Sequence, residues 1–260
     1  PNAIALNSLL MNSARFVGPA LAGFAVATIG EAWCFAINAA SYLAVLLALA
    51  AIRVAPHRPN PAPALQAFRE GIAYVLGHPE IRPRLMTVAA VSFLVTPYAV
   101  MMPLFASEIY GSDARAYGLL IGSAGAGALF AGLYLASRQG TERLPRRVAD
   151  AVLVAAVALT LFSLNSLLAL GFAIVMVLGF AVIAFIAGSN TLVQMQVDDA
   201  YRGRVMAIFS MAFLGIAPLG SFAVGNLAHW VGVQPVLFVC GLATLVVGVV
   251  GRRRLARIAA

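Results

Sequence analysis

Residues 167–196 read LLALGFAIVMVLGFAVIAFIAGSNTLVQMQ, 30 positions without one charged side chain. About twenty apolar residues in a helix cross the roughly 30 Å hydrocarbon core of a bilayer. A backbone in lipid must satisfy its own N–H and C=O groups, which a helix does. The stretch therefore reads as a membrane-spanning helix. It is longer than the minimum and follows a short span, so the turn between them at Asn165 and Ser166 sits off-centre or the pair tilts. Beyond it come Asp198, Asp199, Arg202 and Arg204. This alternation runs through the chain: six clusters of charge punctuate eight apolar stretches, 4–29, 32–53, 85–106, 116–136, 148–164, 167–196, 203–228 and 233–251.

Composition agrees. Hydrophobic residues make up 62% of the chain, charged residues 10%, and the mean hydropathy is +0.95, whereas soluble domains are about a quarter charged. The formal charge of +8 does not point to nucleic acid, because the basic residues flank apolar spans instead of covering one solvated face. All 17 are arginines. Fifteen of them, Arg53 and Arg58 through Arg257, fall on one side of the alternation, only Arg115 on the other, and Arg15 inside the first span. Arginine in short loops is retained in the cytoplasm, which predicts cytoplasmic placement for both ends of this chain. Cys34 and Cys240 each lie within a span and read as small buried hydrophobes, not a disulfide framework.

The first hairpin carries Gly18-Pro19-Ala20-Leu21-Ala22-Gly23, a turn near Gly30 and Arg53; the last carries Ala217-Pro218-Leu219-Gly220-Ser221, a turn near Gly232 and Arg252 to Arg254. Both start on the arginine-rich side and run in the same direction, as in a parallel repeat about an axis along the membrane normal, the plan of major facilitator transporters. Six spans separate the two hairpin starts, so the first span here corresponds to the fifth of twelve. The chain starts at Pro1 with no charged leader and reads as the rear part of a longer protein.

Four segments carry a family resemblance: PNAIALNSLLMNSARFVGPALAG from residue 1, ALQAFREGIAYVLGHPEIR from residue 64, YGLLIGSAGAGALFAG from residue 117 and DDAYRGRVMAIFSMAFLGIAPLGS from residue 198. Together they resemble helices five to twelve of a major facilitator superfamily transporter, in the enterobactin-exporter-like branch of bacterial efflux proteins. The resemblance implies an all-α integral membrane protein with the major facilitator fold, truncated at its N-terminus and keeping eight transmembrane helices. Residues 1–53 would be the last two helices of the N-terminal six-helix domain, 54–84 a cytoplasmic interdomain linker, and 85–260 the C-terminal six-helix domain with a basic tail. The implied activity is export from the bacterial inner membrane by proton-coupled antiport of a siderophore, drug or other small molecule, by a full-length monomer needing no cofactor. Gly18, Pro19 and Gly23 match the family's antiporter motif, with alanine at its other small positions; close helix packing would use the same residues. Arg138, Gly140 and Arg143 match its gating-loop motif, but Ser137 replaces the aspartate, and both arginines also serve as topology determinants.

Arg15 stands about eleven residues into its span, about 16 Å from the helix end at 1.5 Å per residue. A charge at that depth marks a functional site by default. Ser8, Asn12 and Arg15 share a helical face with Pro19 and are expected to line a central cavity. On the sixth span Asn190 and Gln194, four apart with Thr191 and Gln196 nearby, either line a substrate path or bond a neighbouring helix. In the third span Thr96, Pro97, Tyr98 and Pro103 indicate either a broken helix or a proline kink. Between spans two and three, Pro56, Pro59, Pro61 and Pro63 precede Leu65, Phe68, Ile72 and Val75 at spacings of three and four, an extended linker followed by a surface amphipathic helix.

No enzyme or metal constellation accompanies these features: His57, His78 and His229 are isolated, and no phosphate-cradling glycine-lysine loop occurs. The nine acids lie in loops or at span ends, which places a proton-coupling carboxylate outside this chain. The alternatives are a permease subunit of an ATP-driven transporter, which would need a partner ATPase, and an intramembrane enzyme, which would need paired acids or histidines within spans. The arginine distribution predicts that a reporter fused after Arg58 or Arg257 reads cytoplasmic and one fused near Ser112 periplasmic; the reverse pattern of alkaline phosphatase and fluorescent-protein signals would refute the orientation.

Overall fold

The computed structural model describes residues 29, 30, 32–51, 64–112, 114–137 and 142–258. All regular structure among them is helical, and seven helices are long and apolar enough to cross a membrane. The expected first span, 4–29, lies outside the described residues except for Ile29. The chain divides into two compact units, Pro1–Ala67 and Phe68–Ala260. In the first, helix α1 (Ala32–Ala51) turns apolar side chains such as Phe35, Leu43 and Leu47 outward, and Cys34 is partly covered.

The second unit begins within α2 (Ala64–Gly77) and continues with α3 (Ile81–Leu94), α4 (Pro97–Leu104), α5 (Ala114–Ser137), α6 (Leu144–Leu164), α7 (Leu168–Gln196), α8 (Arg202–Ser210), α9 (Ile216–Val231) and α10 (Val233–Ile258). Helices α3 and α4 form one span, Ile81–Ile109, and α8 and α9 another, Arg202–Val231. Each ends or is interrupted by a π-helical turn, Phe105–Ile109 and Met211–Gly215 respectively.

The described spans match the apolar stretches, several with longer ends. The third starts at Ile81, not at residue 85, and the fifth at Leu144, not at 148. Their first turns carry Arg82 and Arg84, and Arg146 and Arg147. Such turns fail an apolar count yet extend the helix, because long arginine side chains reach outward from an apolar stem. Pro145 in the first turn of α6 supports the start there. The expected turn at Asn165 is present, with Asn165 extended at φ −87° and ψ 129°, and α7 is longer than α6, 29 residues against 21. Gly232, with φ +88°, closes α9 in the left-handed region that glycine enters without strain.

In the third span the kink reading holds. Thr96 stays right-handed helical, and Tyr98 and Ala99 donate to Val95 and Thr96 at 3.0 and 3.2 Å. The helix tightens where Pro97 removes a donor instead of unwinding.

Lipid tails are as apolar as leucine, so spans associate through close packing, and small residues permit it. In α5 the glycine run seen in the sequence meets α7: a Cβ on Gly127 would stand 1.9 Å from the Met176 carbonyl oxygen, and one on Gly179 would stand 2.3 Å from that of Ala124. Gly220 of α9 meets the Phe93 carbonyl in the same way, and Gly241 of α10 meets Thr160 of α6. Around these crossings Phe105, Phe162, Phe185, Leu178 and Leu237 are fully buried, and Phe105 stacks on Phe162 at 4.4 Å. Gly179→Val should therefore overpack the α5–α7 crossing by about 1–3 kcal/mol and lower the detergent-solubilised melting temperature, whereas Gly118→Ala, where nothing lies within 4 Å, should not. Equal melting of the two variants in a thermal size-exclusion assay would contradict this packing.

Candidate functional site

The polar stripe of α7 begins in the helix interior and runs toward the arginine-rich end. Ser189 is buried, Asn190 is half-buried, and Thr191 and Gln194 are exposed. The Gln194 amide donates to Asn190 Oδ1 at 2.5 Å, and the Thr191 hydroxyl donates to the Ala187 carbonyl at 3.0 Å. Among the described residues this pair bonds within its own helix and not across to a neighbour. Two amides so placed keep spare donors and acceptors on an open face, which a polar ligand group or water can use.

Two residues further, α7 is fastened to α3. Gln196 accepts a bond from Arg84 Nη1 and donates to Glu80 Oε2 at 2.6 Å. The loop that follows is fastened to α2. Tyr74 donates its hydroxyl to Asp198 Oδ2 at 3.1 Å and accepts from the Asp198 backbone N–H at 3.1 Å. Its ring stacks on His78 at 3.8 Å and on Tyr201 at 4.3 Å. Arg204 of α8 pairs with Glu70 of α2 at 2.9 Å and lies 5.3 Å from the Tyr201 ring centroid. Close approach allows this: a Cβ on Gly71 would stand 3.1 Å from both Arg204 Cβ and Ile208 Cδ1. The Arg202–Asp199 pair at 2.5 Å is well exposed and adds little. Helix α2 thus covers Gly71 and Val75 while Leu65, Phe68 and Ile72 of the expected apolar face stay exposed.

At the opposite end Asn165 Nδ2 donates to Tyr110 Oη at 2.9 Å and to the Leu167 carbonyl at 2.8 Å, while Asn165 Oδ1 accepts from the Leu167 N–H. Gly171 leaves room for the phenol, whose oxygen lies 2.7 Å from where a Cβ would be. Burial pushes the Tyr110 phenol up, and the bond from Asn165 pulls it partly back.

Of the residues singled out in the sequence, Asn190 and Gln194 come together. Arg143 stands exposed as the residue preceding α6. Ser8, Asn12, Arg15, Gly18, Pro19, Gly23, Arg138 and Gly140 lie outside the described residues. The bridge from Glu80 through Gln196 to Arg84, and the clasp of Tyr74 on Asp198, escaped the sequence reading because the partners are 112 to 124 residues apart. The available signal was the crowding of Asp198, Asp199, Arg202 and Arg204 opposite a short helix that carries Glu70 and Tyr74.

The chain matches the model of a family described as transmembrane secretion effector over residues 1–259. It is 26% identical over 263 residues to the uncharacterized MFS-type transporter YfiS of Bacillus subtilis (strain 168), covering 95% of this chain and 62% of that protein. It is also 26% identical over 255 residues to the multidrug efflux pump Tap of Mycobacterium tuberculosis (strain ATCC 25618 / H37Rv), covering 94% and 59%. A pump of the same name from Mycolicibacterium fortuitum is 25% identical over 249 residues, with 93% and 60% covered. The chain spans about three-fifths of the length of these relatives. With seven described helices fit to cross a bilayer and a family match over nearly its whole length, the chain belongs to the transmembrane secretion effector family of the major facilitator superfamily.

Proposed function

We propose that the protein to which this chain belongs exports small molecules, drugs or siderophores among them, from a bacterial cytoplasm by proton-coupled antiport. The observation that carries this reading is the open amide pair of α7, Asn190 and Gln194, held within its own helix in a chain related to proteins named multidrug efflux pumps. Most other polar side chains within the described spans bond a backbone carbonyl and offer little to a ligand.

In this reading residues 1–53 close an N-terminal domain, 54–84 link it to the C-terminal domain, and both chain ends are cytoplasmic. Ser8, Asn12 and Arg15 line the central cavity, since a charge at membrane depth must face protein or water. Gly18, Pro19 and Gly23 let their helix bend beside the path. Arg138, Gly140 and Arg143 form the second-half gating loop, with Ser137 in place of an acid. The full-length monomer then works by rocking two halves about a midplane site.

The test is efflux of a fluorescent cationic dye and of a catechol siderophore from a host lacking its main exporters, at matched membrane abundance. Arg15→Ala should abolish export, and Arg15→Lys should restore part of it, since lysine lacks the planar fork. Asn190→Leu or Gln194→Leu should each slow export about fivefold, the worth of roughly 1 kcal/mol for a hydrogen bond lost. An uncoupler should stop wild-type export. Wild-type rates in Arg15→Ala, or export that survives the uncoupler but not ATP depletion, would overturn the reading.

A further inference from the structure

A cavity of about 600 Å³ lies between α3, α6, α7 and α10, on the arginine-rich side of the bundle. Its volume is in the range of ligand sites, about 300–1,000 Å³. Its walls are apolar, formed by Met86, Ala90, Val148, Val152, Phe185 and Val246 among others. Met86 and Val246 on its rim are 60% and 63% exposed, so the apolar wall continues onto the outer surface of a membrane-spanning bundle.

One cation stands at the polar end. Arg84 lines the cavity, is only partly exposed and lies within a membrane-spanning helix. It donates to the neutral Gln196 side chain, and it belongs to none of the three close ion pairs among the described residues, although the Glu80 carboxylate acts on it electrostatically. Glu80 also lines the cavity, and Gln196, which donates to its carboxylate at 2.6 Å, bridges it to Arg84, so one negative charge stands beside the guanidinium. A partly buried charge of this kind costs free energy unless an anion or a full set of hydrogen-bond acceptors meets it. A guanidinium has five donors in a planar fork that fits a phosphate. More positive charge stands beside the cavity: Pro145 and Gly251 line it, and Arg146, Arg147, Arg252 and Arg253 follow them in the chain. Of these Arg252 is engaged by Asp150 at 3.6 Å.

We propose that this cavity holds an acyl chain of an anionic phospholipid from the surrounding leaflet, with the lipid phosphate on Arg84. The bilayer is the source because the apolar walls continue to the exposed Met86 and Val246 of helices apolar enough to cross it, and the phosphate is favoured because Arg84, Arg146, Arg147, Arg252 and Arg253 outnumber Glu80 and Asp150 at this end. The lipid would fill the gap between α3, α6 and α10 and complete the packing of that end of the bundle. This holds whatever the protein exports and whichever ion drives it.

The full-length protein, reconstituted in phosphatidylcholine nanodiscs, is photolabelled with phospholipids carrying a diazirine on one acyl chain. The probes are phosphatidylglycerol and phosphatidylcholine of identical chains, and a free diazirine fatty acid forms a third arm. Phosphatidylglycerol should label peptides of α3, α6 and α10 about fivefold more than phosphatidylcholine, matching about 1 kcal/mol per arginine near anionic lipid. Arg84→Gln should reduce that labelling to the phosphatidylcholine level, and Ala90→Phe, which narrows the cavity, should reduce labelling by both lipids. Equal labelling of the wild type by the two phospholipids, or anionic labelling confined to other helices, overturns the proposal without recourse to any variant. Displacement of the phospholipid probe by the fatty acid at equal mole fraction overturns the assignment to a bilayer lipid.

Discussion

The bundle depends on a constraint that water does not impose. Inside a bilayer the hydrophobic effect gives two helices no reason to meet, so contact must come from shape. The α5–α7 crossing meets this demand directly, with Gly127 set against the Met176 carbonyl and Gly179 against Ala124, leaving no room for even one methyl group. The crossings of α9 with α3 and of α10 with α6 repeat it through Gly220 and Gly241. Large side chains then fill what the close crossings leave, and Phe105 on Phe162 joins the end of one kinked span to the neighbouring hairpin.

The same solvent disciplines the polar groups. Thr87, Ser107, Ser123, Thr160, Ser210 and Thr244 each donate a hydroxyl to the carbonyl four residues earlier. Such a bond satisfies the hydroxyl and adds no partner across helices. Among the described residues no deeply buried side-chain oxygen or nitrogen lacks a partner. Against that background the amides of Asn190 and Gln194 stand out, because carboxamides have more hydrogen-bonding capacity than one mutual bond uses. Position separates their role from that of Gln196, two residues on, which is consumed in joining Glu80 to Arg84.

The sequence carried the spans because burial in lipid demands apolar runs, and it carried the Asn165 turn because polar residues interrupt such a run. It carried the glycines of residues 117–132 as a motif but not their partners, since a glycine's value lies in which backbone approaches it. The early starts of α3 and α6 were hidden by arginines that an apolar count treats as loop. The clasp of α2 on the loop after α7 was invisible for another reason: Tyr74 and Asp198 are both ordinary surface residues until the fold brings them together. Of the candidate site, the α7 pair followed from helical spacing alone, whereas the Glu80–Gln196–Arg84 bridge required the packing of two spans.

The two π-helical turns bear on how such a bundle can move. A π turn shifts the register of backbone bonding and commonly sits at functional positions. The turn at Met211–Gly215 is met by α3, whose Ser92 hydroxyl donates to the Phe213 carbonyl at 2.5 Å. One turn beyond, Gly220 is pressed on the Phe93 carbonyl. The α8–α9 span is therefore pinned to α3 at its own weak point, close to where Pro97 weakens α3–α4. The hydroxyl bond falls on the π turn itself and the glycine contact just beyond it, while on α3 both contacts stand a little before Pro97. At the arginine-rich end the Glu70–Arg204 and Tyr74–Asp198 contacts tie α2 to the same span and to the loop that precedes it. These contacts and the Ser92 bond join α2, α8 and α3 through one continuous series of side-chain contacts.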